Sequence, residues 1–396
     1  MSKILITGNG FDLFHNLPTK YHHFISIMQT IEKNQFREDV SFDNLFGGIF
    51  KNKFTYDFNS IVENYKIENL KFEFDKINRL KELVVSNLWY KYSKNVLEID
   101  TWIDFEVEIE TILNQLIIFE KYSDKTVVNK NTFRDPLIKF TDFQLFGIVR
   151  IIDTTGLFTI NDRYINKRKN IIEIKIILED LAKSFEEFIM IFNRYLVDIV
   201  STFYKEIKEK YQIPFQFIDE IYTFNYTPTL EDMYGINNSK VTYLHGQVNE
   251  DCLKQNIVMG ISELPQDIKI NKMFDFTKYY QKVNKNANKK FIEIPKTRID
   301  ETVFYIFGHS LDESDKEYII DLFKFLEFDD NMYSKICVFY YNENDKNNKW
   351  RNLFNIIDKN VLIEMNKKGR LYFSNLNVEN INKEFSKELQ IYKIVF

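Results

Sequence analysis

Cysteine, proline and glycine are all scarce in this chain: 2, 6 and 11 among 396 residues. Cys252 and Cys337 lie far apart with no C-x-x-C spacing, which excludes a disulfide framework and a zinc knuckle and fits a reducing cytosol, so a cytoplasmic protein is expected. So few glycines and prolines argue against collagen-like, linker-dominated or turn-dense all-β designs and for long helices. No uncharged run approaches the roughly 18 apolar residues of a membrane span, and Met1–Thr7 turns polar too soon for a secretory leader, so no membrane partner is expected. Excess positive charge is also missing. Lys plus Arg number 53 against 58 Asp plus Glu, a net charge of −5, so no overall field draws in nucleic acid. The basic stretch Gln281–Arg298, read as a mobile surface loop, is the one local candidate for phosphate contact, and nucleic-acid processing is the least favoured function class.

What the chain does have is apolar and aromatic mass: 44% hydrophobic residues, with 38 Phe, 23 Tyr and 3 Trp, enough for a large buried core. Lys3–Thr7 is a short β-branched run that stops at Gly8-Asn9-Gly10, a strand feeding a tight turn. From about Tyr56 to Lys210 apolar residues recur at helical spacing. The clearest stretch is Ile171–Tyr211, where Ile174, Ile177, Leu178, Leu181, Phe185, Phe188, Phe192, Leu196, Ile199 and Phe203 trace one stripe, predicting a single long helix, kinked or straight. After Pro214 strand-like runs return at Ile221–Phe224, Val241–Leu244, Ile257–Met259, Val303–Phe307 and Ile336–Tyr341. Strands alternating with longer connections predict an α/β fold: a Rossmann-like, mostly parallel sheet flanked by helices, with a large all-α insertion after the first strand and helix. The expected division is 1–55 with 212–396 for the nucleotide-binding core and 56–211 for the helical insertion.

Five of the 11 glycines and most of the unusual polar residues fall directly after a predicted strand: Gly8-Asn9-Gly10-Phe11-Asp12, Asn225-Tyr226-Thr227, His245-Gly246, Gly260-Ile261-Ser262 and Gly308-His309-Ser310. Open parallel sheets bind ligands outside the carboxyl ends of their strands, so these groups are expected to converge on one site. Gly8-x-Gly10 lets backbone approach a phosphate or ribose, although a plain turn with Asp12 as a helix cap explains it as well. A dehydrogenase fingerprint would need a third glycine where Leu13 stands, which disfavours hydride transfer. Asn225 offers a carboxamide for a ribose hydroxyl or water, or else an Asx turn before Pro228. His245 is the candidate general base. His309 sits among Ser310, Asp312 and Ser314, all able to cap a helix. Asp104, Glu106, Glu108 and Glu110 read as an acidic helix face, solvated or ion-paired rather than reaching a pocket. His15, His22 and His23 lack metal-ligand spacing, and no metal site is predicted.

Ile4-Leu5-Ile6-Thr7-Gly8-Asn9-Gly10-Phe11-Asp12-Leu13 with Asn16-Leu17-Pro18-Thr19-x-Tyr21 resembles the amino-terminal signature of the AbiH bacteriophage abortive-infection family. Trp102-Ile103-Asp104-Phe105-Glu106, Phe224-Asn225-Tyr226-Thr227, Leu244-His245-Gly246 and Ile306-Phe307-Gly308-His309-Ser310-Leu311 with Asp315 follow in that family's order. The resemblance implies antiviral defence. More distantly, the glycine turn, the Asn after a Thr-x-Asn strand end and the His-Gly pair are similar to sirtuin-like domains that bind NAD, although Asn9, Asp12 and the lack of a four-cysteine zinc module depart from sirtuins and count against protein deacylation. That likeness implies an NAD glycohydrolase in which Asn225 and His245 are catalytic. Gly8 and Gly10 would cradle the diphosphate, Asn9 and Asp12 face the ribose, and Gly308 and Ser310 border the nucleotide, with Phe11, Thr227, Gly246 and His309 completing the binding set. The rival reading is a non-catalytic nucleotide sensor. Either implies a homo-oligomer or a phage-derived trigger as control.

Overall fold

The computed structural model describes residues 2–96, 101–123, 132–133, 140–151, 158–169, 171–264, 273–292, 301–327 and 333–388. Its centre is a sheet of six strands, β1 (Ser2–Thr7), β2 (Glu220–Thr223), β3 (Val241–Tyr243), β4 (Thr302–Phe307), β5 (Lys335–Tyr340) and β6 (Leu371–Asn375), paired in the order β3-β2-β1-β4-β5-β6. Every pairing is parallel, with Leu5 of β1 opposite Ile221 and Tyr305. Parallel neighbours need crossovers, and a sheet covered on both faces needs apolar residues at successive positions, which is why the strands read as unbroken hydrophobic runs. Ile4, Ile6, Phe304, Ile306, Ile336 and Val338 pack on one face with Leu322 and Leu326. Leu5, Val303, Tyr305, Phe307, Cys337 and Phe339 pack on the other with Leu230, Ile381 and Phe385. The order reverses between β1 and β4, and at such a switch point the outgoing chains diverge and leave a crevice at the carboxyl edge.

Of the helices that frame the site, α1 (Asn9–Phe14) leaves β1 directly. Beyond it α2 (Tyr21–Lys33), α3 (Phe74–Ser86), α4 (Trp102–Ser123) and α5 (Ile174–Asp198) form a helical layer before the chain returns to the sheet. Later come α6 (Thr229–Tyr234), α7 (Lys278–Asn284) and α8 (Lys316–Glu327). The predicted stripe is buried along its whole length, from Ile174 to Phe203. The helix is shorter than 171–211, since Ile171–Ile172 pairs with Ile165–Asn166 and a 3-10 segment, Val200–Lys205, follows α5. The expected helical layer is present and also carries antiparallel pairings that the spacing does not reveal, at Val40–Ser41 with Lys71–Phe72 and among Thr132–Phe133, Val149–Ile151 and Phe158–Ile160.

Three expectations need correction. Ile257–Met259 is buried but is not a strand: the Gln255 side chain accepts from the Ile257 amide, the Gln281 carboxamide bonds both amide and carbonyl of Met259, and the His245 carbonyl takes the Val258 amide. Side chains satisfy what a neighbouring strand would have satisfied. The first part of the basic Gln281–Arg298 stretch is helix α7, with Gln281 buried; its residues 293–298 lie outside the described residues. The sixth strand, Leu371–Asn375, is an addition at the sheet edge. Among the described residues no helix is long and apolar enough to cross a membrane. Both cysteines are free thiols.

Candidate functional site

At the reversal point a cleft of about 300 Å³ opens between the sheet edge and the helical layer, at the small end of the ligand-pocket range. The sheet side contributes Gly8, Asn9, Gly10 and Asp12 after β1, Phe224 to Thr227 after β2, His245 after β3, and Gly308, His309, Ser310, Ser314 and Asp315 after β4. Ten of the twelve predicted site residues therefore meet there. Two do not. Phe11 is buried under the sheet, with its ring 5.0 Å from that of Phe307. Gly246 packs its backbone on the next loop: its φ is 77°, and a Cβ would stand 1.9 Å from the Asn256 carbonyl oxygen. The Gly260-Ile261-Ser262 group is also elsewhere, with Ser262 Oγ donating to the Ser314 carbonyl at 2.7 Å.

The glycines at the cleft serve chain packing. An added Cβ on Gly8 or Gly10 would approach the His309 and Gly308 backbone to 2.8 and 2.7 Å, respectively. The Gly10 amide is spent on the Gly308 carbonyl at 2.8 Å and the Phe11 amide on the Gly8 carbonyl, so the turn does not present these two donors to a phosphate. Asp12 lies beneath it, fully buried, accepting from the hydroxyls of Thr227 at 2.6 Å and Thr229 at 2.7 Å. Burial pushes its carboxyl up to about 6 against the pull of those hydroxyls and of the Asn225 carboxamide.

Phe224 sets the imidazoles, its ring 5.1 Å from His245 and 4.2 Å from His309. The Asp315 carboxylate lies between them, Oδ2 at 3.2 Å from His309 Nε2 and Oδ1 at 3.1 Å from His245 Nε2, the second contact being out of line for a hydrogen bond. His309 Nδ1 accepts from the Leu311 amide, so this ring is locked by its own turn. Burial lowers the His245 imidazole to about 4 despite Asp315, leaving it neutral near pH 7. Against burial, the Lys278 ammonium, with the His245 and His309 rings beside the carboxylate, holds Asp315 well below the usual carboxylate range.

The helical layer supplies the opposite wall. Thr101, Trp102 and Glu106 come from the start of α4, Phe192 and Leu196 from α5, and Lys278 from α7. Lys278 is buried and bonds Glu106 at 2.8 Å, with Asp315 Oδ1 4.0 Å away. Burial raises the Glu106 carboxyl to about 7, the Lys278 ammonium opposing that shift. Glu106 is thus both ion-paired and in the cleft, whereas Asp104 bonds Thr101 at the helix start and lies outside it. Lys278 carries no motif that sequence reading could have found, and Asp315 is hidden in a run of helix-capping residues. His15 is structural, its ring nitrogens engaging the Phe11 carbonyl at 2.7 Å and the Tyr234 hydroxyl at 2.5 Å. Among the described residues no group of three or more His, Cys, Asp or Glu is arranged to hold a metal ion.

Two buried side-chain atoms of cleft-lining residues, Thr19 Oγ1 and Asn225 Oδ1, have no hydrogen-bond partner among the described residues, while His245 Nε2 and Asp315 Oδ1 stand 3.1 Å from each other. Buried polar groups are normally paired, so the two unpaired atoms in one cleft mark a place where a ligand completes the bonding. The family description "Bacteriophage abortive infection AbiH" matches residues 4–340. The chain belongs to this family. The matched AbiH span runs from β1 to the last residue of β5 and contains every residue of the cleft, so β6 and the segments after it are outside what the family match covers. As an AbiH-family member, the protein is one of bacteriophage abortive infection. No curated protein and no solved structure matches the chain. The sirtuin-like part of the sequence resemblance has no counterpart in these comparisons.

Proposed function

We propose that this AbiH-family protein acts in abortive infection by binding NAD at the switch-point cleft and hydrolysing its nicotinamide–ribose bond. The observation that carries the reading is the convergence of the unpartnered Asn225 Oδ1 and the neutral His245 imidazole, backed by Asp315, at the edge where an open parallel sheet takes its ligands. Nicotinamide leaves as a neutral ring once the ribose–nitrogen bond breaks and its electron pair discharges the pyridinium, so no acid is needed at the leaving group. What remains is placement and charge stabilisation of an oxocarbenium-like ribose. Asn225 Oδ1 accepts from a ribose hydroxyl or the incoming water. His245 Nδ1, the ring nitrogen that does not face Asp315, takes the proton as the water oxygen bonds to the ribose carbon, and Asp315, 3.1 Å from Nε2, stabilises the imidazolium that results. The products are nicotinamide, ADP-ribose and a proton passed on to solvent.

Purified protein incubated with NAD tests this directly. Nicotinamide release that falls at least about a hundredfold in His245→Ala and in Asn225→Ala, both still folded by circular dichroism, is the expected result. NAD binding without release would establish the second reading, a sensor. The composite wall favours that alternative's mechanics, because a ligand touching Trp102 and Asn225 bridges the helical layer and the sheet. Control by self-assembly or by a phage-derived partner belongs to either reading.

A further inference from the structure

β6 ends the sheet, and its outer side meets no strand among the described residues. At the opposite edge the chain just past β3 is covered, the His245 carbonyl taking the Val258 amide. A strand in a parallel pair turns alternate residues to its neighbour. The Ile336 amide donates to the Arg370 carbonyl and the Leu376 amide to the Tyr340 carbonyl, each at 2.7 Å, so the even-numbered residues face β5 and Leu371, Phe373 and Asn375 turn their amides and carbonyls outward. Two of those three carbonyls are closed by side chains: Asn366 Nδ2 donates to Leu371 and Asn380 Nδ2 to Asn375, both at 3.0 Å. Phe373 alone keeps both its amide and its carbonyl without a partner among the described residues. Edge strands are commonly blunted by charge, proline or a bulge, yet Leu371-Tyr372-Phe373-Ser374-Asn375 has no charge and no proline and pairs with β5 in unbroken register. The side chains beside the gap are apolar. Phe373 lies on the sheet face covered by α9 (Glu343–Ile356) and α10 (Lys359–Lys367), half-buried with its ring 4.8 Å from that of Trp350, and Phe354 and Ile363 of those helices are 47% and 44% exposed.

We propose that this edge joins two copies of the chain, β6 running antiparallel to β6 about a two-fold axis beside Phe373. Across that axis residue 373 faces itself, and the amide of each copy meets the carbonyl of the other in the paired hydrogen bonds of an antiparallel ladder. The two Phe373 rings come together as an aromatic cross-strand pair. Charge at the two ends of the strand selects a second copy and its sense. Lys367 and Lys368, the second already paired with Glu364, precede β6, and Glu379 opens α11 (Val378–Ser386) after it, all three exposed. An antiparallel copy turns the basic end of each strand towards the acidic end of the other, whereas a parallel copy sets like beside like. An antiparallel neighbour at the margin of a parallel sheet is a common arrangement. The contact goes beyond the chemistry of the cleft, and its failure would leave both readings of that cleft as they stand.

A residue that faces itself gives a test that loss of packing does not imitate. In sedimentation equilibrium the full chain is expected to be a dimer at about 100 µM. Phe373→Lys and Phe373→Glu each set like charges face to face and should weaken association at least about tenfold, while an equimolar mixture of the two, each folded by circular dichroism, should recover the dimer. A monomeric parent, either variant associating as well as the parent, or a mixture that stays monomeric would each overturn the proposal. Hydrogen exchange on the parent needs no variant. Across the concentrations over which monomer gives way to dimer, exchange of the Phe373 amide should slow at least about tenfold, while the Tyr372 and Ser374 amides, which face β5, keep their rates. No slowing at Phe373 would place the contact elsewhere on the surface. Protection of that amide already in the monomer would mean that residues 389–396 of the same chain take the edge. Either result ends the proposal.

Discussion

Gly308 has a φ of 73°, and a Cβ built there would lie 2.2 Å from the Phe11 amide nitrogen and 2.4 Å from the Gly10 carbonyl carbon. Both partners are backbone of the first turn of α1, pinned to the Gly308 carbonyl through the Gly10 amide, so neither can yield. A left-handed non-glycine residue costs about 1–2 kcal/mol and forced overpacking about 1–3, so Gly308→Ala is expected to lose roughly 2–5 kcal/mol in urea denaturation. Gly369, at φ 66° with no heavy atom within 4 Å, should show the left-handed cost alone on the same substitution. Equal losses at the two sites would refute the packing account of the cleft glycines. Asp12 makes a prediction in pH. Its folded pKa of about 6 lies above the ordinary 3.8, so the folded state binds the extra proton and the associated stability is full below about pH 3.8 and lost as pH rises through 6. Asp12→Asn does not titrate. Relative to the parent, the variant should gain on the order of 3 kcal/mol between pH 4 and pH 7.5, read from paired urea curves at each pH. No pH-dependent difference would mean that the carboxyl is not perturbed. At this scale the sequence was readable where a residue type is rare, because glycines and histidines after apolar runs stand out. Lys278 was not readable, since one lysine among many announces neither its burial nor the glutamate it meets.

Secondary elements were legible where a single period controls them. The stripe of α5 satisfies helical spacing against one core, and β4 and β5 are unbroken apolar runs because both of their faces are covered. Ile257–Met259 shows the limit: it has strand composition, but the Gln255 and Gln281 side chains and the His245 carbonyl supply its hydrogen bonds, and no local pattern encodes a partner as distant as Gln281. Contacts between elements were the least legible, and the Glu106–Lys278 bond between α4 and α7 is the clearest of them. Lys278 is buried and the Glu106 side chain is only 15% exposed, so removing one leaves a charge without its partner in a medium that solvates it poorly. Lys278→Met or Glu106→Leu alone should cost about 3–5 kcal/mol, while the double variant should be far less destabilised than the sum. Additive losses in the double-mutant cycle would show that the two side chains do not depend on each other.

Over the whole molecule, the sheet and the helical layer share chain in a way that the boundaries 56 and 211 do not follow. Phe24, Ile27, Met28 and Ile31 of α2, before the insertion, and Ile257, Met259 and Phe276, after it, are buried in the same core as Phe185, Phe188 and Phe192 of α5. Further ties cross between the layers: the Tyr65 hydroxyl donates to the His15 carbonyl at 2.5 Å, Tyr195 to the Pro18 carbonyl at 2.5 Å, and Trp102 Nε1 to the Thr19 carbonyl at 3.2 Å. Replacing 56–211 with a short linker would therefore strip the covering from α2 and from Ile257, Met259 and Phe276 together, exposing large apolar side chains of the kind whose clustering drives aggregation. Such a deletion is expected to yield insoluble protein, or soluble protein without a cooperative thermal transition. The intact chain should unfold with its tryptophans, Trp89 and Trp102 in the helical layer and Trp350 packed 4.8 Å from Phe373, reporting one midpoint. A soluble deletion variant that melts cooperatively would show instead that the sheet is an independent folding unit. The cleft would then be an interface between two separable bodies, whose opening and closing the ligand could govern.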